Sequence, residues 1–194
     1  MKELVFLLEE PSAKALLSTL LPRFLHPTIV PRYIPFEGKQ DLDKQLERKL
    51  RGYINPHARF LVLRDQDSAD CHAVKAALLV KCANAGRTAT SLVRIACHEL
   101  ETFYLADLAA VEKVLACRGL QAQQASAKYR APDYINSPSH ELGKLTNNRY
   151  QKVNHSRLLG EHLDLDNTRS SSFHHLLTGI RRLEQELLSI PDNF

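Results

Sequence analysis

Four short apolar runs alternate with helix-patterned segments through the first half of the chain, and this alternation restricts the fold more than any other feature. The runs are Glu3–Leu8, Thr28–Phe36, Arg59–Leu63 and Ser91–Ala96. Between them, 12–21, Asp41–Leu50 and Ala69–Ala83 carry helical patterns, as in Leu42, Leu46 and Leu50. Strands that alternate with helices build a parallel, helix-covered sheet. The expected fold is therefore α/β, a mostly parallel sheet of about four strands covered by helices. Glu3–Leu8 reads as a strand buried on both faces. Ser12 reads as the N-cap of the first helix, after the Glu9-Glu10-Pro11 turn, and Pro31 marks the second strand as an edge.

After residue 97 the alternation stops. Leu100–Leu115, Ser139–Leu145, Tyr150–Leu163 and Phe173–Leu188 read as helices, interrupted by a polar stretch at 118–135, by Asn136-Ser137-Pro138 and by 164–172. The expected division is an α/β core over 1–117 and a helical C-terminal extension over 118–194, packed on that core. No apolar run approaches the roughly 18 residues of a membrane span. The short apolar start is interrupted by acids with no cleavage site after it, so it reads as a first strand in a cytoplasmic protein rather than a signal peptide. The four cysteines, at 71, 82, 97 and 117, form no Cys-x-x-Cys pair and read as small apolar residues. A net charge of +4 permits contact with nucleic acid without requiring it.

The third run ends in acids, as Leu63-Arg64-Asp65-Gln66-Asp67. Residues i and i+2 of an extended strand share a face, so Asp65 and Asp67 are expected to point together beyond the strand's C-terminal end. Open α/β sheets place their ligands at that edge. Two close carboxylates repel unless a cation sits between them, which points to a divalent metal with oxygen ligands, Mg²⁺ or Mn²⁺. Glu9 and Glu10 close the first run, and Glu99 and Glu101 follow the fourth. A parallel sheet brings all these ends to one edge. Four or more carboxylates there are what a two-metal phosphoryl-transfer site needs, its ions about 3.5–4 Å apart. If 99–101 is extended, both glutamates share a face; if a helix has begun they diverge by about 200° and only one reaches the site.

Leu8-Glu9-Glu10-Pro11-Ser12 resembles the Glu motif of Toprim domains, and Leu63-Arg64-Asp65-Gln66-Asp67 resembles their Asp-x-Asp motif. Phe36-Glu37-Gly38-Lys39-Gln40-Asp41-Leu42, Arg94-Ile95-Ala96-Cys97-His98-Glu99-Leu100-Glu101 and Leu163-Asp164-Leu165-Asp166-Asn167 extend the likeness over most of the chain. They resemble a family of small bacterial proteins of unknown function, similar to the Toprim part of OLD-type nucleases and often encoded beside an AAA- or ABC-type ATPase in phage defence. The resemblance implies that Glu9 is a metal ligand or general acid/base, and that Asp65 and Asp67 are the principal Mg²⁺ ligands. It also implies that Glu99 or Glu101 supplies an acid for a second metal. Toprim motifs usually place glycine after the glutamate, where this chain has Glu10, which adds charge beside the site or marks a chain that does not cleave. Arg64 could touch a phosphate or neutralise a carboxylate.

Other patterns carry less. His98-Glu99-Leu100-Glu101-Thr102 lacks the second histidine of a zinc helix. Leu142-Gly143-Lys144-Leu145 lacks the rest of a P-loop, so ATP hydrolysis would fall to a partner. Asp164-Leu165-Asp166-Asn167 lacks the glycine and terminal Glu of a calcium loop and reads as a turn and helix cap. His174-His175 reads as one surface and one core residue, while Asp107, Phe103 and Tyr104 read as structural. Lys152 and Arg169 are candidate phosphate contacts, able to neutralise transition-state charge, and equally residues that a solvated helix face carries. The leading expectation is an Mg²⁺-dependent phosphodiesterase, a Toprim-type nuclease with Glu9, Asp65, Asp67, Glu101 and Lys152 as its catalytic set. It would act on DNA or RNA with an ATPase partner, off the membrane, in a form compatible with a homo-oligomer. The alternatives are a non-catalytic metal-binding adaptor or sensor that binds a partner protein, and a phosphotransfer enzyme for a small phosphorylated substrate.

Overall fold

Parallel strands hydrogen-bond only when the chain crosses back between them, so the helices between the apolar runs decide the topology. In the computed structural model, which describes residues 1–191, four strands form one parallel sheet in the order β2-β1-β3-β4. They are β1 (Lys2–Leu8), β2 (Ile29–Pro35), β3 (Ala58–Asp65) and β4 (Ser91–Ala96). The fold is the expected α/β sheet. β2 is an edge, as Pro31 requires, because proline cannot donate to a ladder on both sides.

The crossovers are α1 (Pro11–Leu20), α2 (Lys39–Arg51) and α3 (Cys71–Asn84). From β1 the chain steps one way to β2; it then reverses, passing back over β1 to β3 and on to β4. Right-handed crossovers put steps in opposite directions on opposite faces of the sheet. Accordingly, Leu42, Leu46 and Leu50 of α2 and Val74, Leu78 and Cys82 of α3 cover Val5, Leu7, Phe60 and Val62. Leu16, Leu17 and Leu20 of α1 cover Leu4, Phe6 and Leu8 on the other face. One helix cannot cover that face alone, and α8 (Ser171–Leu188) completes it with Phe173, Leu176, Ile180, Leu183 and Leu187. Each such leucine contributes about 1.5–3 kcal/mol on burial.

The remaining helices are α4 (Thr102–Leu105), α5 (Leu108–Leu115), α6 (Pro138–Leu145) and α7 (Lys152–Gly160). Several expectations require correction. The helix expected over Leu100–Leu115 is two, because Asp107 leaves helical geometry and caps α5 by accepting from the Ala110 N–H. Ser12 is not an N-cap. Pro11, with no N–H to satisfy, starts α1, Glu10 takes the cap position, and the Ser12 hydroxyl donates to Glu10 Oε2 at 3.2 Å. α7 starts two residues later than expected, since Gln151 is still extended. His174 and His175 are both exposed. Among the described residues, no helix is long and apolar enough to cross a membrane.

α7 lies against α1 at a close crossing. A Cβ at Gly160 would collide with Thr19 Oγ1 and the Leu16 carbonyl. Thr19 Oγ1 donates to the Arg157 carbonyl at 2.6 Å, and Arg23 Nη1 donates to the Gly160 and Leu163 carbonyls at 2.9 and 2.8 Å. Replacement Gly160→Ala is expected to cost about 1–3 kcal/mol through overpacking. Denaturant unfolding measures it, and an unchanged midpoint would show that the two backbones do not touch.

Candidate functional site

Because the chain leaves β1 in one direction and β3 in the other, the C-terminal ends of these neighbours form the sheet's switch point, where α/β sheets open a crevice. Leu8 pairs with Leu63 in register, so Glu9 emerges beside Arg64 and Asp65. The Glu9 N–H donates to the Leu63 carbonyl at 3.1 Å, and Glu9 Oε2 accepts the Asp65 N–H at 2.9 Å. Glu9 is buried; burial pushes its carboxyl up, that N–H opposes the shift, and nearby Asp67 adds to it. Arg64 lies 3.9 Å from Glu9 and reaches Asp43 of α2 at 3.2 Å.

Asp65 is the last residue of β3, paired with Ala96 of β4. Its carboxylate accepts no hydrogen bond from the described residues. Burial, Glu101 and Glu9 together hold it well above the usual carboxylate range. Glu101, just before α4, is 0% exposed. Its Oε1 accepts from the Tyr150 hydroxyl at 3.0 Å, while its Oε2 is buried with no hydrogen-bond partner among the described residues. Burial raises the Glu101 carboxyl as well, against the pull of Lys152. Behind Tyr150, the Tyr104 hydroxyl donates to Ser156 Oγ at 2.7 Å, and Ser156 donates to the Lys152 carbonyl at 2.5 Å. This polar chain holds the Glu101 carboxyl through its Oε1. Burial, with Glu101 adding to it, raises the Tyr150 hydroxyl far above its ordinary value.

Asp65 and Asp67 do not share a face, contrary to the sequence expectation. The strand ends at Asp65, and Asp67 adopts a left-handed turn with φ of 56°. Its N–H donates to the carbonyl of His98, itself left-handed with φ of 57°, at 2.7 Å. Asp and His are among the few side chains that tolerate this region. Asp67 consequently faces Lys39 at the start of α2, at 2.9 Å. Glu99 and Glu101 also separate. Glu99 Oε2 accepts the Ser139 N–H in the first turn of α6 at 2.6 Å, which leaves Glu101 as the glutamate facing Asp65. Lys152, the first residue of α7, pairs with Glu10 at 2.5 Å and lies near enough to Glu101 and Asp65 to feel both charges. Burial alone would lower the Lys152 ammonium, but the three acids hold its proton and raise it. Glu10 itself has extended backbone, with φ of −138°, so nothing there demands glycine.

Three contributors escaped the sequence reading. Lys39 follows Gly38, whose φ of +98° bends the chain so that its N–H meets the Glu9 carbonyl at 2.9 Å; that glycine was the available signal. Tyr150 and Ser156 carried none, being brought to Glu101 by the packing of α7. Glu9, Glu10 and Asp65 line a crevice of about 10 Å³, room for roughly one water-sized sphere. Among the described residues, no three His, Cys, Asp or Glu side chains stand together as a ready-made metal cluster. Each outer acid meets a basic side chain instead: Glu10 meets Lys152, Asp67 meets Lys39, and Glu9 meets Arg64.

Residues 8–181 match the family model described as Domain of unknown function (DUF4276). Among solved structures, the chain is similar to the C-terminal region of the Burkholderia pseudomallei OLD protein. The TM-score is 0.56 at 16% identity, over 93% of this chain and 98% of that one. The likeness is one of fold, and the fold is Toprim-like. No curated protein matches the chain.

The raised carboxyls set a pH dependence. Folded Asp65, Glu101 and Glu9 hold protons that the unfolded chain releases at about pH 4. Their contribution to stability is therefore complete below that pH and lost as pH rises through the raised values. Asp65→Asn is expected to melt above the wild type at pH 8 without metal, by roughly 2–4 °C for about 1 kcal/mol. The gap should shrink towards pH 4–5, as calorimetry at both pH values would show. A gap that widens on acidification would exclude a raised Asp65.

Proposed function

The chain belongs to the DUF4276 family, and we propose that it is a Mg²⁺- or Mn²⁺-dependent phosphodiesterase of the Toprim-nuclease type, acting on DNA or RNA. One observation carries this reading. The buried Glu101 leaves one carboxylate oxygen without a hydrogen-bond partner near Asp65, whose own carboxylate also accepts none among the described residues. Two desolvated carboxylates, with Glu101 raising the proton affinity of Asp65 and Lys152 offsetting this only in part, are a costly arrangement. The donors fit a hard divalent ion, being oxygen only. Asp65, Glu101 and Glu9 would hold it, with Asp67 at the outer side for a second ion and Glu99 turned towards α6. Bound there, the metal would supply charge neutralisation and Lewis-acid activation of a phosphodiester.

The chain's own groups supply the rest. Glu9 is anchored by the Asp65 N–H, which fixes its carboxylate between β1 and β3. Tyr150 holds Glu101 through Oε1 and leaves Oε2 free. Lys152, once released from Glu10, is the cation placed to meet charge developing on a phosphate oxygen. Arg64, braced by Asp43, offsets Glu9. The resemblance that suggests a nuclease also suggests an AAA- or ABC-type ATPase as partner and a role in phage defence.

A second reading has its own support. Lys152, Lys39 and Arg64 already neutralise Glu10, Asp67 and Glu9, as in a module that binds a partner protein and never cleaves. Incubation with plasmid DNA and with RNA, with and without Mg²⁺ or Mn²⁺, separates the two. Metal-dependent cleavage is expected, falling at least about 100-fold in Asp65→Ala and Glu101→Gln, in the range that a positioned acid or base contributes. Calorimetric metal binding without any cleavage would establish the adaptor instead.

A further inference from the structure

Against α5 and the turn that follows α7 lies a cavity of about 710 Å³, within the size range of ligand pockets, that shares no lining residue with the acidic crevice. Its wall includes Lys113, Arg130, His162 and Arg169, with Asp107 and Asp164. The two acids are already engaged: Asp107 accepts the Ala110 N–H at 3.1 Å and the Asp164 N–H at 2.8 Å, and Asp164 accepts the Asp166 N–H at 3.0 Å. Among the described residues, no carboxylate lies within ion-pair distance of Lys113, Arg130 or Arg169. Lys113 Nζ stands 3.4 Å from His162 Nδ1. The wall is rigid, because Asn167 Nδ2 and Arg169 Nη1 both donate to the Ala106 carbonyl, at 2.6 and 3.4 Å. Three cations without acidic partners around one concavity are the chemistry that recognises a phosphate.

We infer that this pocket binds a phosphate of the same nucleic-acid strand whose phosphodiester lies at the acidic crevice, an inference that rests on the function proposed above. α7 leads from one place towards the other: Lys152 is its first residue and Gly160 its last, about 12 Å along a helix rising about 1.5 Å per residue, and His162 of the pocket wall follows two residues later. The helix alone corresponds to about three or four nucleotides of a stacked strand at about 3.4 Å each. The pocket is lined by no Phe, Tyr or Trp among the described residues, so it offers a base no broad stacking platform and suits backbone rather than nucleoside. Lys113, Arg130 and Arg169 are all exposed, so a strand can pass through without ending there.

Fluorescence anisotropy with a labelled single strand of about 20 nucleotides tests it. The comparison is between Asp65→Asn, used to suppress cleavage, and Asp65→Asn combined with Lys113→Ala and Arg130→Ala. The pocket variant is expected to bind about tenfold or more weakly, and its salt slope to fall by about 0.7 for each lost phosphate contact. Both substituted residues are exposed, and a thermal melt checks that the fold is intact. Unchanged affinity and slope would overturn the inference, as would micromolar binding of adenosine monophosphate at the pocket without any effect on the strand. If the parent chain cleaves nothing yet strand affinity depends on Lys113 and Arg130, the nuclease reading fails and the pocket stands. Metal-dependent cleavage with pocket-independent affinity gives the reverse result.

Discussion

The handedness of parallel crossovers governs this molecule. Once β1 connects to one neighbour and β3 leads away in the other direction, α1 must lie on one face and α2 and α3 on the other. The strand ends that part there are adjacent, so Glu9 and Asp65 become neighbours, and the Asp65 N–H donated to Glu9 Oε2 fixes that carboxylate between β1 and β3. The same constraint leaves the α1 face half covered. α8 fills the rest, so the C-terminal helices belong to the core that keeps the sheet rigid under the acids. α7 then follows α1 through the close approach at Gly160, and this is what carries Lys152 to Glu10 and Tyr150 to Glu101.

The electrostatics of the crevice run against stability. Glu10, Asp67 and Glu9 pair with Lys152, Lys39 and Arg64, whereas Asp65 and the inner oxygen of Glu101 have no ion-pair or hydrogen-bond partner among the described residues and feel Lys152 only at longer range. The strain of that arrangement appears as carboxyls that keep their protons above the ordinary range. Perturbed groups of this kind gather at functional sites, because chemistry needs charge where folding alone would avoid it. A second set of cations, Lys113, Arg130 and Arg169, lines the other cavity beside α5, and the turn after α7 contributes His162 to the same wall.

Much of this was readable from the residues in order. The four apolar runs located the strands, Pro31 identified an edge, and the acids following three of those runs had to reach one border of a parallel sheet. The departures have two physical causes. Extended backbone alternates with period two and so predicts a common face for Asp65 and Asp67, and a left-handed turn at Asp67 breaks that period. Ser12 looked like a cap because its side chain suits one, yet Pro11 can start the helix itself. At Asp67 a backbone torsion tied to His98, distant in sequence, outweighed a local preference, whereas at Ser12 the adjacent Pro11 was the stronger local signal.

The sequence by itself determined which elements form and which acids end at the sheet's edge, since periodicity and proline act over a few residues. It left open which of Glu99 and Glu101 turns inward. Tertiary structure decided that, through the α6 amide that captures Glu99 and the Tyr150 hydroxyl that holds Glu101. It also decided that Lys39, Lys152 and Arg64 stand where they can neutralise the outer acids. Those pairings join residues 28 to 142 positions apart, or in the case of Arg64 and Glu9 the ends of two paired strands. No local pattern encodes such distances; only the packing of α2 and α7 against the sheet creates them.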